Sequence, residues 1–338
     1  MRSGTDGQGT GPRVVALGGG HGLAATLRAL RRVTDRLTAV VGVADDGGSS
    51  GRLRREYGIL PPGDLRMALA ALCGDDSWGR TWSRVVQHRF SSPGSLDGHS
   101  VGNLLITALW EETGDVVAGL DWVAALLGAH GRVLPSTVVP LEIVAQIRAA
   151  EQEAQPGNHR GDAVDSVTIR GQSAVARSKG GILSLAIDPA DPPATPEALA
   201  ALASADAVVL GPGSWFTSVL PHLLIPDIAD ALRSTSALRI LVLNLGPEAG
   251  ETRGFAPETH LEVLARQFPG IRLDIVLADR SAVSDPRPLL QAADAVGAQV
   301  HLADLIETGS DGALRHDVDL LAAALGRCLS RGRIGAWR

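Results

Sequence analysis

Val40-Val41-Gly42-Val43-Ala44-Asp45-Asp46-Gly47-Gly48-Ser49-Ser50-Gly51 is the stretch from which the rest of the chain can be read. An apolar run ends on two adjacent carboxylates, and a glycine-serine turn able to wrap an anion follows. Upstream, the apolar residues 14–17 close on Gly18-Gly19-Gly20-His21-Gly22, after which Leu23, Leu27 and Leu30 recur at helical spacing. Strand, glycine turn, helix and second strand (37–43) make the first half of a Rossmann-like unit. Both glycine loops then fall on the carboxyl edge of a parallel sheet, where open α/β sheets bind ligands. The expected ligand is phosphorylated, a nucleotide or nucleotide-sugar.

Composition narrows the classes. With 338 residues, 45% hydrophobic and only 3% aromatic, the core is built from Ala, Val, Leu and Ile, as in buried parallel strands covered by helices. A net charge of -6 argues against nucleic-acid binding. Lys179 is the only lysine and follows no phosphate-binding glycine loop, so a P-loop is excluded. Cys73 and Cys328 are too few for a disulfide framework or a cysteine zinc site, and a reducing cytoplasm is the expected compartment. No run is apolar over the ~18 residues that a membrane span needs.

The pattern predicts an α/β fold: three layers, Rossmann-like, with a mostly parallel sheet and a small β-rich insertion. Residues 1–12 read as a disordered tail, 13–132 as the N-terminal part of the nucleotide-binding domain, 133–190 as the insertion and 191–330 as the C-terminal part. After Gly51 the chain reads as basic and irregular up to Pro61-Pro62-Gly63-Asp64, where Asp64 stands as N-cap of a helix over 65–72. Helices are expected over 82–90, 102–112, 121–127 and 318–329. Short strands are expected over 166–169, 173–176 and 182–187 around a polar loop at 151–162. Regular strands return at 207–210, 240–245, 273–277 and 299–302.

Several groups can serve a ligand. Gly19, Gly20 and Gly22 offer backbone N–H groups at a helix start, where partial positive charge favours phosphate, although their spacing misses G-x-G-x-x-G. A tight turn needs the same small residues, and His21 either meets a phosphate or caps that turn. Asp45 and Asp46 suit ribose hydroxyls, base edges or Mg²⁺; otherwise they are exposed turn acids. Gly47, Gly48, Ser49 and Ser50 favour the ligand reading, and Arg52, Arg54 and Arg55 follow as anion partners or a solvated face. Asp64 and Arg66 form a polar pair, and His99 and Asn103 add donors. Gly211, Gly213, Ser214, Thr217 and Ser218 form a further anion-binding turn after a strand. Asn244, Glu251 and Thr252 follow the next. No nucleophile stands beside a base and no metal-ligand spacing occurs, so no catalytic residue is assigned.

These segments (18–23, 44–51, 61–66, 98–103, 211–218 and 250–252) make the chain resemble the family of 2-phospho-L-lactate transferase and its gluconeogenesis-factor relatives, over residues 13–329. The Ala-Asp-Asp-Gly-Gly-Ser-Ser-Gly and Pro-Pro-Gly-Asp strings look closer to the gluconeogenesis-factor branch. His21 and Trp215-Phe216 look like actinobacterial variants. Pro247-Glu248-Ala249 departs from the relatives' usual Gln-Pro pair and puts that loop's contacts in question. The resemblance implies a regulatory protein that binds a UDP-sugar, notably UDP-N-acetylglucosamine, and supports cell-wall synthesis and cell shape on gluconeogenic carbon. It implies a homodimer with a regulatory protein partner, no required cofactor, and a role for Mg²⁺ only on the transferase side. It places Gly19, Gly20 and Gly22 near the diphosphate and Asp45 and Asp46 near the nucleoside or a metal. Gly213, Ser214 and Thr217 line the same cleft, and Arg315 reaches the nucleotide-sugar. The alternative is a Mg²⁺-dependent transferase acting on a nucleoside-diphospho-linked substrate, with Asp45 and Asp46 holding the metal.

Overall fold

The computed structural model describes residues 11–148, 166–178, 181–247, 250–309 and 312–335. Its first strand, β1 (Val14–Gly18), is buried at every position, as a strand covered on both faces must be. The Gly19 turn feeds α1 (Gly20–Leu30), whose Leu23, Leu27 and Leu30 are buried as their spacing requires. β2 (Leu37–Val41) then pairs parallel to β1. The expected irregular stretch after Gly51 is instead α2 (Gly48–Tyr57), ended by Gly58 in a left-handed conformation, φ 67°. Its helical face is hard to read because its only buried side chains are Ser49, Ser50 and Leu53.

Four helices follow: α3 (Gly63–Leu72), α4 (Ser77–Gln87), α5 (Val101–Thr113) and α6 (Val116–Leu127). Asp76, Ser100 and Asp115 cap the last three through their side chains. Asp64 does not cap α3; Pro62 holds the N-cap position and Asp64 lies in the first turn of α3. β3 (Arg132–Pro135) joins the main sheet beside β2.

β4 (Glu142–Arg148), β5 (Ser166–Arg170) and β6 (Ile182–Asp188) form a separate three-stranded antiparallel sheet in the order β5-β4-β6. The expected strand at 173–176 is a short helix, α7 (Gln172–Ala176). Residues 1–10 of the expected 1–12 tail, the polar loop at 151–162 and Lys179 lie outside the described residues.

α8 (Pro196–Ala203) leads back to the main sheet at β7 (Ala207–Leu210). The chain continues through α9 (Pro226–Ser234), β8 (Leu238–Val242), α10 (Pro257–Gln267), β9 (Ile275–Asp279), α11 (Pro286–Val296) and β10 (Gln299–Ala303). A small hairpin, β11 (Ile306–Thr308) and β12 (Leu314–His316), precedes α12 (Val318–Gly335). The main sheet runs β10-β9-β8-β7-β1-β2-β3, with neighbouring strands paired in parallel. From β1 the chain winds first toward β3 and later toward β10. Right-handed crossovers therefore put the helices of the two halves on opposite faces. The winding reverses between β1 and β7, and the carboxyl ends of those two strands are where such a sheet opens a crevice.

Candidate functional site

At that reversal the β1 and β7 loops touch backbone to backbone. A methyl group on Gly22 would lie 2.2 Å from the Pro212 carbonyl oxygen and 2.8 Å from Gly213 Cα, so residue 22 has no room for a side chain. Thr26 Oγ1 donates to the Gly211 carbonyl at 2.9 Å, a second tie between the loops. Gly20 turns the chain into α1 at φ 59°, a conformation that favours glycine. The first-turn N–H groups of α1 then face the crevice with the positive end of the helix dipole. His21, the second residue of α1, is exposed.

The β7 loop is held from below by side chains. Gly213 N–H donates to Asn244 Oδ1 at 2.9 Å, and Asn244 Nδ2 donates back to the Gly213 carbonyl at 3.0 Å. Asn244 thus shapes the loop, and this N–H of Gly213 is already engaged. Glu251, buried after β8, accepts from Phe216 N–H at 2.8 Å and from Thr217 Oγ1, fixing the π-helical turn Trp215–Val219. Thr252 is fully buried beside it. Ser214 and Ser218 remain partly accessible toward the crevice.

The adjacent acids of the β2 loop part company. Asp45 Oδ1 accepts from Gly47 N–H at 2.9 Å, while its Oδ2 lies 2.9 Å from where a Gly63 methyl would sit, on the side of Asp64. Asp46 Oδ1 accepts from Ser173 N–H at 2.9 Å and its Oδ2 covers Gly171, so Asp46 ties α7 to the main sheet. Gly48 is the first residue of α2 at φ 47°, and Gly47 packs against Ser173, whose Oγ lies 3.0 Å from the methyl position of Gly47. The two acids thus take different backbone partners. The carboxylates that approach each other are Asp45 and Asp64.

Asp64 sits under the β1 loop: its Oδ2 lies 2.6 Å from a Gly19 methyl position, and its carboxylate accepts from Gly20 N–H. Burial, then the charge of Asp45, raise its pKa to about 7. Two carboxylates in such repulsion fit a hard cation as oxygen donors. Among the described residues no group of three His, Cys, Asp or Glu could hold a metal, so Mg²⁺ here would need phosphate or water oxygens to complete its shell.

Arg66, His99 and Asn103 lie behind this surface, with Ser49 and Ser50. Arg66 Nε donates to Asn103 Oδ1 at 3.0 Å, Asn103 Nδ2 donates to Ser49 Oγ at 3.0 Å, and Ser49 Oγ meets His99 Nδ1 at 3.0 Å. All five residues are buried. Burial, then Arg89, lower the Arg66 pKa to about 10. Burial, then Arg52, also lower that of His99. These residues tie α2, α3 and α5 to one another behind the β2 loop.

Among the described residues, three of the cavities follow the carboxyl edge. The largest, about 350 Å³, opens between Gly22, Gly213, residues 244–247 and the hairpin residues Leu314, Arg315 and His316. A nearly closed one of about 10 Å³ lies among Gly19, Asp64, Gln172, Thr217, Ser218 and His222. A third, about 280 Å³, lies between Asp46, Gly51, Arg54, Arg55, Glu142 and Gly171. The structure therefore brings together the β1, β2 and β7 loops, Asp64, Asn244 and Arg315. Glu248 and Ala249 of the variant loop lie outside the described residues. Gln172, Ser173, His222 and His316 also reach this edge but carry no sequence signal. Gln172 and Ser173 come from α7, the short helix between β5 and β6, and His222 is held neutral, its pKa lowered to about 4 by burial.

Comparison with known proteins gives a consistent outcome. A family profile described as 2-phospho-L-lactate transferase CofD matches residues 14–321. A Mycobacterium tuberculosis protein, provisionally named a gluconeogenesis factor, is 50% identical over 92% of this chain and 89% of its own length. The gluconeogenesis factor of Listeria monocytogenes is 34% identical over 94% of this chain and 95% of its own length. A crystal structure of a UPF0052-family protein from Bacillus halodurans superposes with a TM-score of 0.80 at 30% identity, covering 94% of this chain and 99% of that one.

Proposed function

Because the chain belongs to the 2-phospho-L-lactate transferase CofD family, we propose that it is a gluconeogenesis-factor-type regulatory protein whose crevice binds a UDP-sugar, UDP-N-acetylglucosamine first among them. In this reading it supports cell-wall synthesis and cell shape on gluconeogenic carbon, acts as a homodimer and signals to a protein partner. The observation that carries the ligand class is the cavity of about 350 Å³ at the sheet's winding reversal, next to the N-terminus of α1. The nucleoside enters between residues 244–247 and the β11-β12 hairpin, with Arg315 at its edge. The diphosphate meets the N–H groups of His21 and Gly22 and the hydroxyls of Ser214 and Ser218, where the helix dipole favours negative charge. The sugar extends past Asp64 toward the third cavity. Among the described residues that line this path, no serine or cysteine is hydrogen-bonded to a histidine, which favours binding over covalent chemistry.

The second reading rests on the Asp45–Asp64 pair. In a transferase those two carboxylates would hold Mg²⁺, which would supply charge stabilisation at a diphosphate. The chain's own part would be to position the leaving diphosphate on the α1 N–H groups. A thermal-shift panel of UDP-N-acetylglucosamine, UDP-glucose, UDP, GDP and GTP, each with and without Mg²⁺, separates the two. A ligand at a hundred times its Kd stabilises the fold by about 2.7 kcal/mol, a readable rise in Tm. A rise with UDP-sugars that ignores Mg²⁺ supports the regulatory reading. A guanine-selective, Mg²⁺-dependent rise replaces it with the transferase.

A further inference from the structure

The third cavity, about 280 Å³, is a chamber of its own: it shares no lining residue with the largest cavity and only Ala44 with the nearly closed one. Arg54 and Arg55, in the last turn of α2, supply its cationic lining, and neither makes an ion pair or a side-chain hydrogen bond among the described residues. Arginines at a helix C-terminus complement its dipole, which would account for them on an open face. Here both line a cavity, Arg54 half-buried and Arg55 exposed. Arg55 Nη1 lies 3.2 Å from the methyl position of Gly51, one turn earlier, so its guanidinium lies back along the helix over a residue without a side chain. Nothing larger than glycine fits there, because a methyl would sit 1.9 Å from the Asp46 carbonyl oxygen.

Two acids share the lining. Asp46 Oδ1 accepts from Ser173 N–H at 2.9 Å, and Glu142 Oε2 accepts from Arg170 Nε at 2.7 Å. The second oxygen of each, Asp46 Oδ2 and Glu142 Oε1, accepts no hydrogen bond among the described residues. A simple anion is therefore repelled by the carboxylates and a simple cation by the guanidiniums. A molecule with a phosphate at one end and hydroxyls over the rest satisfies both: guanidinium N–H groups donate to the phosphate oxygens, and the hydroxyls donate to the open carboxylate oxygens. We propose that this chamber is a second ligand site, which takes a sugar monophosphate or a similar phosphorylated polyol. Its volume suits one small metabolite. The site stands apart from the nucleotide reading of the crevice and does not depend on it.

The test is calorimetric titration of the full chain with glycerol 3-phosphate, ribose 5-phosphate, glucose 6-phosphate and fructose 6-phosphate, against glucose and inorganic phosphate. At least one sugar or polyol phosphate should bind roughly ten-fold or more tighter than either glucose or inorganic phosphate, because only it meets both kinds of lining group. Arg54→Gln and Arg55→Gln, checked for folding by their melting curves, should each weaken that ligand roughly ten-fold, the scale of one lost charge-assisted contact. Arg55→Lys, which keeps the charge but not the fork, should fall between wild type and Arg55→Gln. Saturating UDP-N-acetylglucosamine should leave the phosphorylated ligand bound. Binding by none of the four overturns the proposal, and so does inorganic phosphate binding as tightly as the best of them. Full affinity in both glutamine variants, or displacement by UDP-N-acetylglucosamine, overturns it as well. A failure of UDP-N-acetylglucosamine to bind, with the other results intact, strikes the nucleotide reading alone.

Discussion

At the scale of single residues, the site depends on atoms that are missing as much as on those present. Gly22 exists because the Pro212 carbonyl occupies the space a side chain would need. Gly22→Ala forces two backbone segments apart, so stability should fall by about 1–3 kcal/mol, the usual cost of overpacking, and nucleotide affinity should fall with it. Chemical denaturation and titration check this; an unperturbed Gly22→Ala protein would mean the loops do not touch. The glycine and aspartate loops were legible in the sequence because glycine and acidic clusters after apolar runs have few other uses. The roles within them were not. Nothing in Asp45-Asp46 tells which carboxylate turns to Asp64 and which to Ser173, since that depends on what folds against each. Arg66, His99 and Asn103 read as separate donors for a ligand, and no pattern in the sequence signals that Asn103 and Ser49 link them into one buried network.

At the scale of elements, α7 is the piece that links the small sheet to the crevice. Asp46 takes Ser173 N–H, Gln172 Nε2 donates to the Thr217 carbonyl at 3.2 Å, and Gly250 lies directly under the Ala176 carbonyl. Residues following β2, β7 and β8 thus all meet one helical turn. Asp46→Ala should cost about 1 kcal/mol, the worth of a helix N-terminal acceptor. It should also speed hydrogen exchange at Ser173 while sparing β1. Exchange at Ser173 equal to wild type would show that α7 stays docked without Asp46. This element was misread because Ser-Ala-Val-Ala alternates small and apolar residues like a strand, and five residues are too few for helical period to show. The long helices and central strands were legible for the converse reason: their apolar spacing repeats.

For the molecule as a whole, buried titratable groups set a pH profile. His99, His222, His260 and His316 are all held below the ordinary histidine value, mainly by burial, with His222 and His316 near about 4. Between about pH 4 and 6.5 the unfolded chain binds protons that these folded sites refuse, so stability should rise with pH. Asp64, raised to about 7, has the opposite sign: its folded form keeps a proton that the unfolded chain has released, and that contribution is lost as pH climbs toward 7. The histidines outnumber it, so Tm should climb from pH 4.5 to 6.5 in metal-free buffer. Asp64→Asn should climb more steeply and melt above wild type at pH 8. A flat wild-type profile, or an Asp64→Asn protein that melts lower at pH 8, would contradict this. The sheet order has a consequence during synthesis. β1 finds β2 almost at once, but its other neighbour, β7, leaves the ribosome roughly 190 residues later, about 10–40 s at ordinary elongation rates. Throughout that interval the apolar edge of the central strand is an open invitation to any other chain. Any ligand seated between the β1 and β7 loops could steady only chains whose translation has passed β7.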